Sequence, residues 1–281
     1  MAATTSSQSP RRFADLKTRI ISSIAAAAVG LTLLYLGGVW TTLLVALATG
    51  AMIWEFRSIT RHGGGACSAD IAFLLSGVVG AVVLTEIRSL LAAIIWLGWS
   101  LLASAVSDLV GGRRSAAGWG VVGGLYIGAA GLGFVYLRAI EPDGFNIVLW
   151  VFLVVAAADV GGYFAGRLIG GPKLWPKVSP KKTWAGMGGG VALAVVLGGV
   201  FSGATTGTYF LQVCVLSAGV AVLSQAGDLA ESALKRHFGV KDSGRLLPGH
   251  GGALDRFDGL VAAVLLVALV TWWRGQTVFI W

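Results

Sequence analysis

Nine apolar runs, most of them close to 20 residues long, divide this chain. A run of about 20 apolar residues matches the thickness of a bilayer, and a helix satisfies its own backbone hydrogen bonds there. We therefore predict an all-α polytopic membrane protein with about nine transmembrane helices. Their expected bounds are 20–36, 39–56, 71–87, 90–110, 118–137, 146–168, 188–203, 209–226 and 260–279.

The composition excludes several other classes of protein. Only 12% of the residues are charged and 56% are hydrophobic, whereas soluble domains have about 25% charged residues. An ordinary soluble enzyme, a disordered chain and a DNA-binding domain are all excluded. The formal net charge of +8 is then a sign of membrane topology and of contact with anionic lipid, and no nucleic-acid partner is expected.

The basic residues predict the orientation in the membrane, because cytoplasmic loops retain Lys and Arg. With a cytoplasmic N-terminus, all but three of the 21 Lys and Arg residues lie on the inner side. The outer side keeps only Arg88, Arg138 and Arg274. Inverting the topology or removing one span spoils this division, so we predict nine spans with the N-terminus inside.

Three regions follow along the chain. Residues 1–13 have no apolar pattern, so we expect them to form a mobile tail. We expect residues 14–144 to form a five-helix membrane region and residues 145–281 to form a catalytic membrane region. The third region contains two long polar loops, 167–187 and 227–259, which face the cytoplasm in this topology. We expect these two loops to form the active site.

The loop 227–259 holds five of the 13 acidic residues, interleaved with bases. Carboxylates bind Mg²⁺, while Lys and Arg neutralise the phosphate oxygens that the metal does not reach. Asp255 and Asp258 are three residues apart, so on a helix they would share one face. Gly251 and Gly252 allow close approach of the backbone to a phosphate. The loop predicts a metal–phosphate site. The alternative is a solvated loop whose charges pair with one another and with lipid head groups.

Asp159 is the one acid well inside a predicted span. A carboxylate within a membrane is costly, so its presence predicts a function. We expect it on the wall of a polar cavity open to the cytoplasm. The alternative is a structural hydrogen bond to a neighbouring helix.

The second long loop resembles the signature of phosphatidate cytidylyltransferases, which runs Ser-x-x-Lys-Arg, four residues, Lys-Asp, then Pro-x-His-Gly-Gly-x-x-Asp-Arg-x-Asp. Ala253 stands where that family prefers a larger aliphatic residue. The segment 177–186 and the triplet Trp54-Glu55-Phe56 are also similar to the family. The residues in register with the signature are Ser232, Lys235, Arg236, Lys241, Asp242, Pro248, His250, Gly251, Gly252, Asp255, Arg256 and Asp258.

The resemblance implies that CTP and phosphatidate react to give CDP-diacylglycerol and pyrophosphate, the lipid phosphate attacking the α-phosphorus of CTP. It implies Mg²⁺ as cofactor, with Asp228 and Asp255 as its ligands, and K⁺ as a candidate second cation. Other implied catalytic residues are Lys235, Arg236, Lys241, Asp242, His250, Arg256 and Asp258. Implied substrate-binding residues are Asp159, Ser179, Lys182, Thr183, Ser232, Gly251 and Gly252.

Several of these roles have structural alternatives. Lys235 and Arg236 also suit contact with lipid phosphates, His250 suits a hydrogen bond that caps a loop, and Asp242 suits a turn. The bases of the first long loop also suit a role as topology determinants only.

Three other functions compete with this interpretation. A CTP-dependent lipid kinase would release CDP instead of pyrophosphate. A CDP-alcohol phosphotransferase would carry Asp-Gly-x-x-Ala-Arg, which this sequence lacks. A transporter would place polar residues at several depths of the membrane, whereas Asp159 is nearly alone.

Three further expectations concern surroundings and assembly. The partners are CTP, phosphatidate and membrane lipid. A homodimer is a candidate because Gly162-x-x-x-Gly166 and Gly186-x-x-x-Gly190 are typical of close helix packing. By resemblance, the protein is located in a bacterial-type inner membrane with its active site facing the cytoplasm.

Overall fold

The computed structural model describes residues 27–61, 69–87, 89–205, 209–244, 246 and 251–280. These residues form nine helices and one two-stranded antiparallel hairpin. The helices are α1 Ala27–Leu36, α2 Gly38–Thr60, α3 Ala69–Glu86, α4 Leu90–Val110, α5 Arg114–Arg138, α6 Gly144–Leu168, α7 Trp184–Thr205, α8 Phe210–His237 and α9 Leu254–Arg274. The strands are β1 Lys173–Trp175 and β2 Ser179–Thr183.

The predicted all-α membrane class is confirmed. Within the described residues, each of the nine apolar runs overlaps a helix, the first of them only over 27–36. Seven of the described helices, α2 to α8, are long and apolar enough to cross a membrane. The predicted tail 1–13 lies outside the described residues.

Two elements extend beyond the apolar pattern. The apolar run of α8 ends at residue 226, but its helix continues to His237, and α9 begins six residues before its apolar run. Apolarity marks only the part of a helix that lies in lipid, so these polar turns were not predicted as helix. The hairpin of β1 and β2, within the first long loop, was also not predicted.

Two hydrophobic cores lie side by side. One centres on the C-terminal helices and includes Trp150 and Val264, while the other centres on the N-terminal helices and includes Ile53 and Leu74. Helix α9 also packs against α5 and α2 of the N-terminal region, and Val261 on α9 belongs to the N-terminal core. The polar start of α9 therefore lies at the boundary between the two regions.

Helices α6 and α7 cross with their backbones in close contact. A Cβ atom on Gly161 would lie 2.6 Å from the carbonyl oxygen of Gly189, and one on Gly186 would lie 2.8 Å from that of Gly162. Small residues permit this approach. The predicted packing motifs thus act between two helices of one chain, and they place the hairpin that precedes α7.

A buried ion network fixes the last turn of α2. Arg57 is fully buried, and its Nη2 lies 2.5 Å from Asp70 Oδ2 and 2.6 Å from Asp108 Oδ2. Its Nη1 donates to the carbonyl oxygen of Ala116 at 2.8 Å. Arg113 also pairs with Asp108 at 2.9 Å. The network joins α2 to α3, to α4 and to the start of α5.

The crossing of α6 and α7 predicts opposite effects at two adjacent glycines. In Gly189→Ala, the new Cβ atom would overlap that of Ala165, and overpacking of this kind costs about 1–3 kcal/mol. Nothing lies within 4 Å of a Cβ atom at Gly188, so Gly188→Ala should be neutral or stabilise by up to about 1 kcal/mol through helix propensity. Thermal unfolding in detergent measures both. Equal effects of the two substitutions would contradict this packing.

Candidate active site

Two glycines bring the polar parts of α8 and α9 together. A Cβ atom on Gly227 would lie 2.6 Å from the carbonyl oxygen of Asp258, and one on Gly259 would lie 2.5 Å from Ser224 Oγ. The absence of side chains at these two positions lets the helices touch. The aspartates beside the glycines, Asp228 and Asp258, are consequently close enough for their charges to interact.

Lys235 joins the two helices by ion pairs. Its Nζ lies 2.6 Å from Glu231 Oε2, one turn earlier on α8, and 2.6 Å from Asp255 Oδ1 on α9. The Lys235 side chain is mostly buried, with 14% of its surface exposed. A desolvated pair of this kind is costly to break, because the remaining charge stays buried without its partner.

Asp255 also holds the loop that leads into α9. The backbone N–H of Ser243 donates to both of its oxygens, at 3.0 and 3.3 Å, and that of Gly252 donates to Oδ2 at 3.2 Å. Burial alone would raise the pKa of Asp255. The hydrogen bonds from Lys235 and Ser243 outweigh burial and lower this pKa to about 2. Asp255 is therefore ionised at neutral pH.

The hairpin contributes a second lysine. Lys182 on β2 places its Nζ 2.6 Å from Asp228 Oδ2, and Ser232 Oγ donates to Asp228 Oδ1 at 3.3 Å. Asp159 on α6 interacts electrostatically with both Asp228 and Lys182. Residues that lie far apart in sequence, on α6, β2 and α8, thus meet at one place.

The carboxylates fit a divalent cation. Burial and the charge of Asp228 raise the pKa of Asp258 to about 7, and a cation between the two carboxylates would relieve this repulsion. Among the described residues, no three Asp, Glu, His or Cys side chains are grouped closely enough to hold a metal ion. Mg²⁺ commonly takes one or two carboxylates and completes its shell with water and substrate phosphates.

Comparison with known proteins identifies the family. Residues 17–273 match the sequence profile of the Cytidylyltransferase family. The chain belongs to this family.

The curated relatives agree with this membership. A protein named phosphatidate cytidylyltransferase from Brucella suis biovar 1 (strain 1330) is 41% identical over 255 residues, which cover 91% of this chain and 93% of the relative. A protein of the same name from Bacillus subtilis (strain 168) is 33% identical over 258 residues, covering 87% and 93%. The predicted resemblance is confirmed, and the family to which the chain belongs is one of nucleotidyltransferases.

The structure also gives the local surroundings of most of the remaining predicted residues. Thr183 is buried, and its hydroxyl accepts a hydrogen bond from Gly186 N at 3.0 Å, which caps α7. Ser179 lies at the other end of β2, opposite Trp175. Gly251 has a φ of 88° in the turn before α9. The side chains of four further residues of the signature are exposed, namely Arg236, Lys241, Asp242 and Arg256. His250 lies outside the described residues.

Two acids at the site were missed by sequence reasoning. Glu231 lies one position before the signature, although its spacing of four residues from Lys235 is a signal for a helical ion pair. Glu55 was noted only within a triplet similar to the family. Its oxygen accepts from the backbone N–H of Leu254 at the start of α9, 199 residues away in sequence, and no local pattern reveals such a contact.

The pairing of Lys235 predicts a loss of stability in Lys235→Met. This substitution leaves Glu231 and Asp255 without their shared cation, and removing one partner of a buried pair costs about 3 kcal/mol or more. The control is Arg236→Met, whose side chain is exposed and whose loss should change stability by less than about 0.5 kcal/mol. Denaturant unfolding in detergent micelles measures both, and equal stability of the two variants would contradict the ion-pair assignment.

Proposed function

We propose that this protein transfers the cytidylyl group of CTP to phosphatidate and releases pyrophosphate, as a step of phospholipid biosynthesis. The observation that carries the proposal is the junction of α8 and α9, where the residues of the signature come together. Lys182 and Lys235 lie there beside Asp228, Asp255 and Asp258. A membrane protein with such a polar junction suits one lipid substrate and one charged nucleotide.

The chemistry requires positioning and charge neutralisation more than covalent help. A phosphate oxygen of the lipid attacks the α-phosphorus of CTP, the bond to the β-phosphate oxygen breaks, and pyrophosphate leaves. Two anions have to approach each other, so cationic side chains that hold both lower the barrier. Lys182 and Lys235 would exchange a carboxylate partner for a phosphate oxygen. Arg236, Lys241 and Arg256 are exposed cations of the same signature and suit the triphosphate or the lipid head group.

We propose that Mg²⁺ binds at Asp228 and Asp255, with Asp258 as the alternative ligand in place of one of them. Asp228 and Asp258 offer carboxylate oxygens on the side of Lys182. Asp255 would bind the ion by giving up part of its hydrogen bonding to Ser243 or Gly252. Bound Mg²⁺ supplies neutralisation of the charge that develops on the leaving pyrophosphate. K⁺ is proposed as a second cation on the resemblance alone.

We also propose nine spans with a cytoplasmic N-terminus in a bacterial inner membrane. The distribution of basic residues and the bacterial relatives support this orientation and location. The hairpin and the junction of α8 and α9 would then face cytoplasmic CTP, next to phosphatidate in the inner leaflet. A homodimer would need a surface other than the contacts between Gly161 and Gly189 and between Gly162 and Gly186, because those glycines pack α6 on α7.

The reaction is tested with purified protein in detergent, phosphatidate, Mg²⁺ and α-labelled CTP. We expect label in the lipid fraction, release of pyrophosphate, and loss of both with EDTA. Asp228→Asn should reduce turnover by about 100-fold or more, the scale of losing one group that stabilises charge in a transition state. The matched control is Asp143→Asn, a carboxylate that accepts from Thr277 Oγ1 at 3.1 Å, outside the proposed site.

Two results would contradict the proposal. Absence of label in lipid from monodisperse wild-type protein would reject cytidylyl transfer, and transfer of label from γ-labelled CTP would then indicate the lipid kinase. Full activity of Asp228→Asn would remove Asp228 from the reaction site.

A further inference from the structure

We infer that Glu55, on α2 in the N-terminal region, is a positioning residue for the reaction. The expected effect of Glu55 on kcat rests on the proposed function. The expected effect of Glu55 on the start of α9 rests on the geometry alone. The Glu55 carboxylate holds the start of α9 and the loop before it, and so sets the place of Asp255 beside Lys235.

Glu55 caps a helix to which it does not belong. Glu55 is 2% exposed, and its Oε2 accepts from the backbone N–H of Leu254 at 2.9 Å and from Ser243 Oγ at 3.1 Å. Leu254 is the first residue of α9, and the residue before it, Ala253, provides no side-chain cap. Helix N-termini have free N–H groups and favour a negative charge. Glu55 supplies both the acceptor and the charge.

Two glycines allow the loop to close on this carboxylate. A Cβ atom on Gly252 would lie 2.6 Å from Glu55 Oε2 and would overlap the hydroxyl of Ser243. A Cβ atom on Gly244 would overlap Glu55 Oε1. The loop backbone therefore packs directly against Glu55 at both positions, and these glycines leave room for it.

Two of the residues that contact Glu55 also contact Asp255. Ser243 donates its hydroxyl to Glu55 and its backbone N–H to Asp255. Gly252 packs on Glu55 and donates its N–H to Asp255 at 3.2 Å. A shift of the loop away from Glu55 would move both donors to Asp255. Because the contacts of Glu55 are to this loop, Glu55 acts through Asp255 and is not itself a catalytic residue.

The part of α2 that carries Glu55 is held in place by buried ion pairs. Two residues after Glu55, Arg57 enters the buried ion network with Asp70 and Asp108. The last turn of α2 is therefore fixed to α3 and α4. The N-terminal region therefore holds Glu55 at a defined place against the loop. A capping residue within the loop would move together with the loop and would not fix its position.

The test compares Glu55→Ala, Glu55→Gln and the control Glu86→Gln in the full-length protein. Glu86 is also a carboxylate that accepts from a hydroxyl, Thr42 Oγ1 at 2.7 Å, but this partner lies on α2 and not on α9 or the loop before it. Glu55→Gln keeps an acceptor oxygen for Leu254 and Ser243, and its amide nitrogen replaces Oε1, an atom with no partner in the described residues. The alanine variant removes the cap entirely.

We expect Glu55→Ala to lower kcat by about 10- to 100-fold, the scale of a displaced reacting group, while KM for CTP changes by less than about threefold. Glu55→Gln and Glu86→Gln should stay within about threefold of wild type. Hydrogen exchange of peptides that contain Leu254 should become faster in Glu55→Ala, and exchange in the hairpin 173–183 should not change. Unchanged kcat in folded Glu55→Ala, with only a lower Tm, would overturn the inference.

Hydrogen exchange separates this inference from the proposed function. The wild type could lack cytidylyl transfer and the structural role of Glu55 could still hold. Faster exchange at Leu254 in Glu55→Ala, with exchange at the wild-type rate in Glu55→Gln, would support that role. Equal exchange in all variants would reject it. Should Glu55→Ala not fold, Ser243→Ala removes one of the two hydrogen bonds to Glu55 and should show the same changes to a smaller extent. If kcat and hydrogen exchange in Ser243→Ala equal those of the wild type, the positioning role of Glu55 is rejected.

Discussion

The ion pair between Lys235 on α8 and Asp255 on α9 joins the two helices that carry most of the proposed reaction site. Its separation of 2.6 Å and its mostly buried lysine mean that neither charge can be removed without leaving the other desolvated. The pair also positions the loop before α9, because Asp255 accepts from the backbone of that loop. Phosphate binding would compete for the same lysine, so the groups that stabilise this fold are those that would bind substrate.

The two regions of the chain contribute differently to this site. The C-terminal helices and the hairpin supply the charged groups. Glycines let α6 pack closely on α7 and α8 on α9, which brings those groups together. The N-terminal region supplies a support. Its buried network around Arg57 fixes α2, and Glu55 on that helix contacts the start of α9. A region with no part in the signature thereby determines the geometry of the signature residues.

Much of this arrangement could be predicted from the sequence, for identifiable physical reasons. An apolar run long enough to cross a bilayer satisfies its own backbone hydrogen bonds as a helix. The positions of the nine helices could therefore be predicted. Fixed spacing placed Lys235 and Asp255 together in one site. The hairpin was missed because its residues are polar and its strands short. Glu55 and Ser243 were missed because their contact joins residues 188 positions apart. The spacing of acids along the sequence also does not show which of them are free to bind a metal. That depends on hydrogen bonds such as those that Asp255 accepts.

The central claim is that nucleotide and metal bind between the ends of α8 and α9. The most direct measurement is an anomalous diffraction map of crystals grown with CTP and Mn²⁺ in place of Mg²⁺. We predict a Mn²⁺ peak in coordination contact with Asp228, with the triphosphate next to Lys182 and Lys235. A Mn²⁺–CTP complex bound elsewhere, with the ion pairs of both lysines unchanged, would contradict the account.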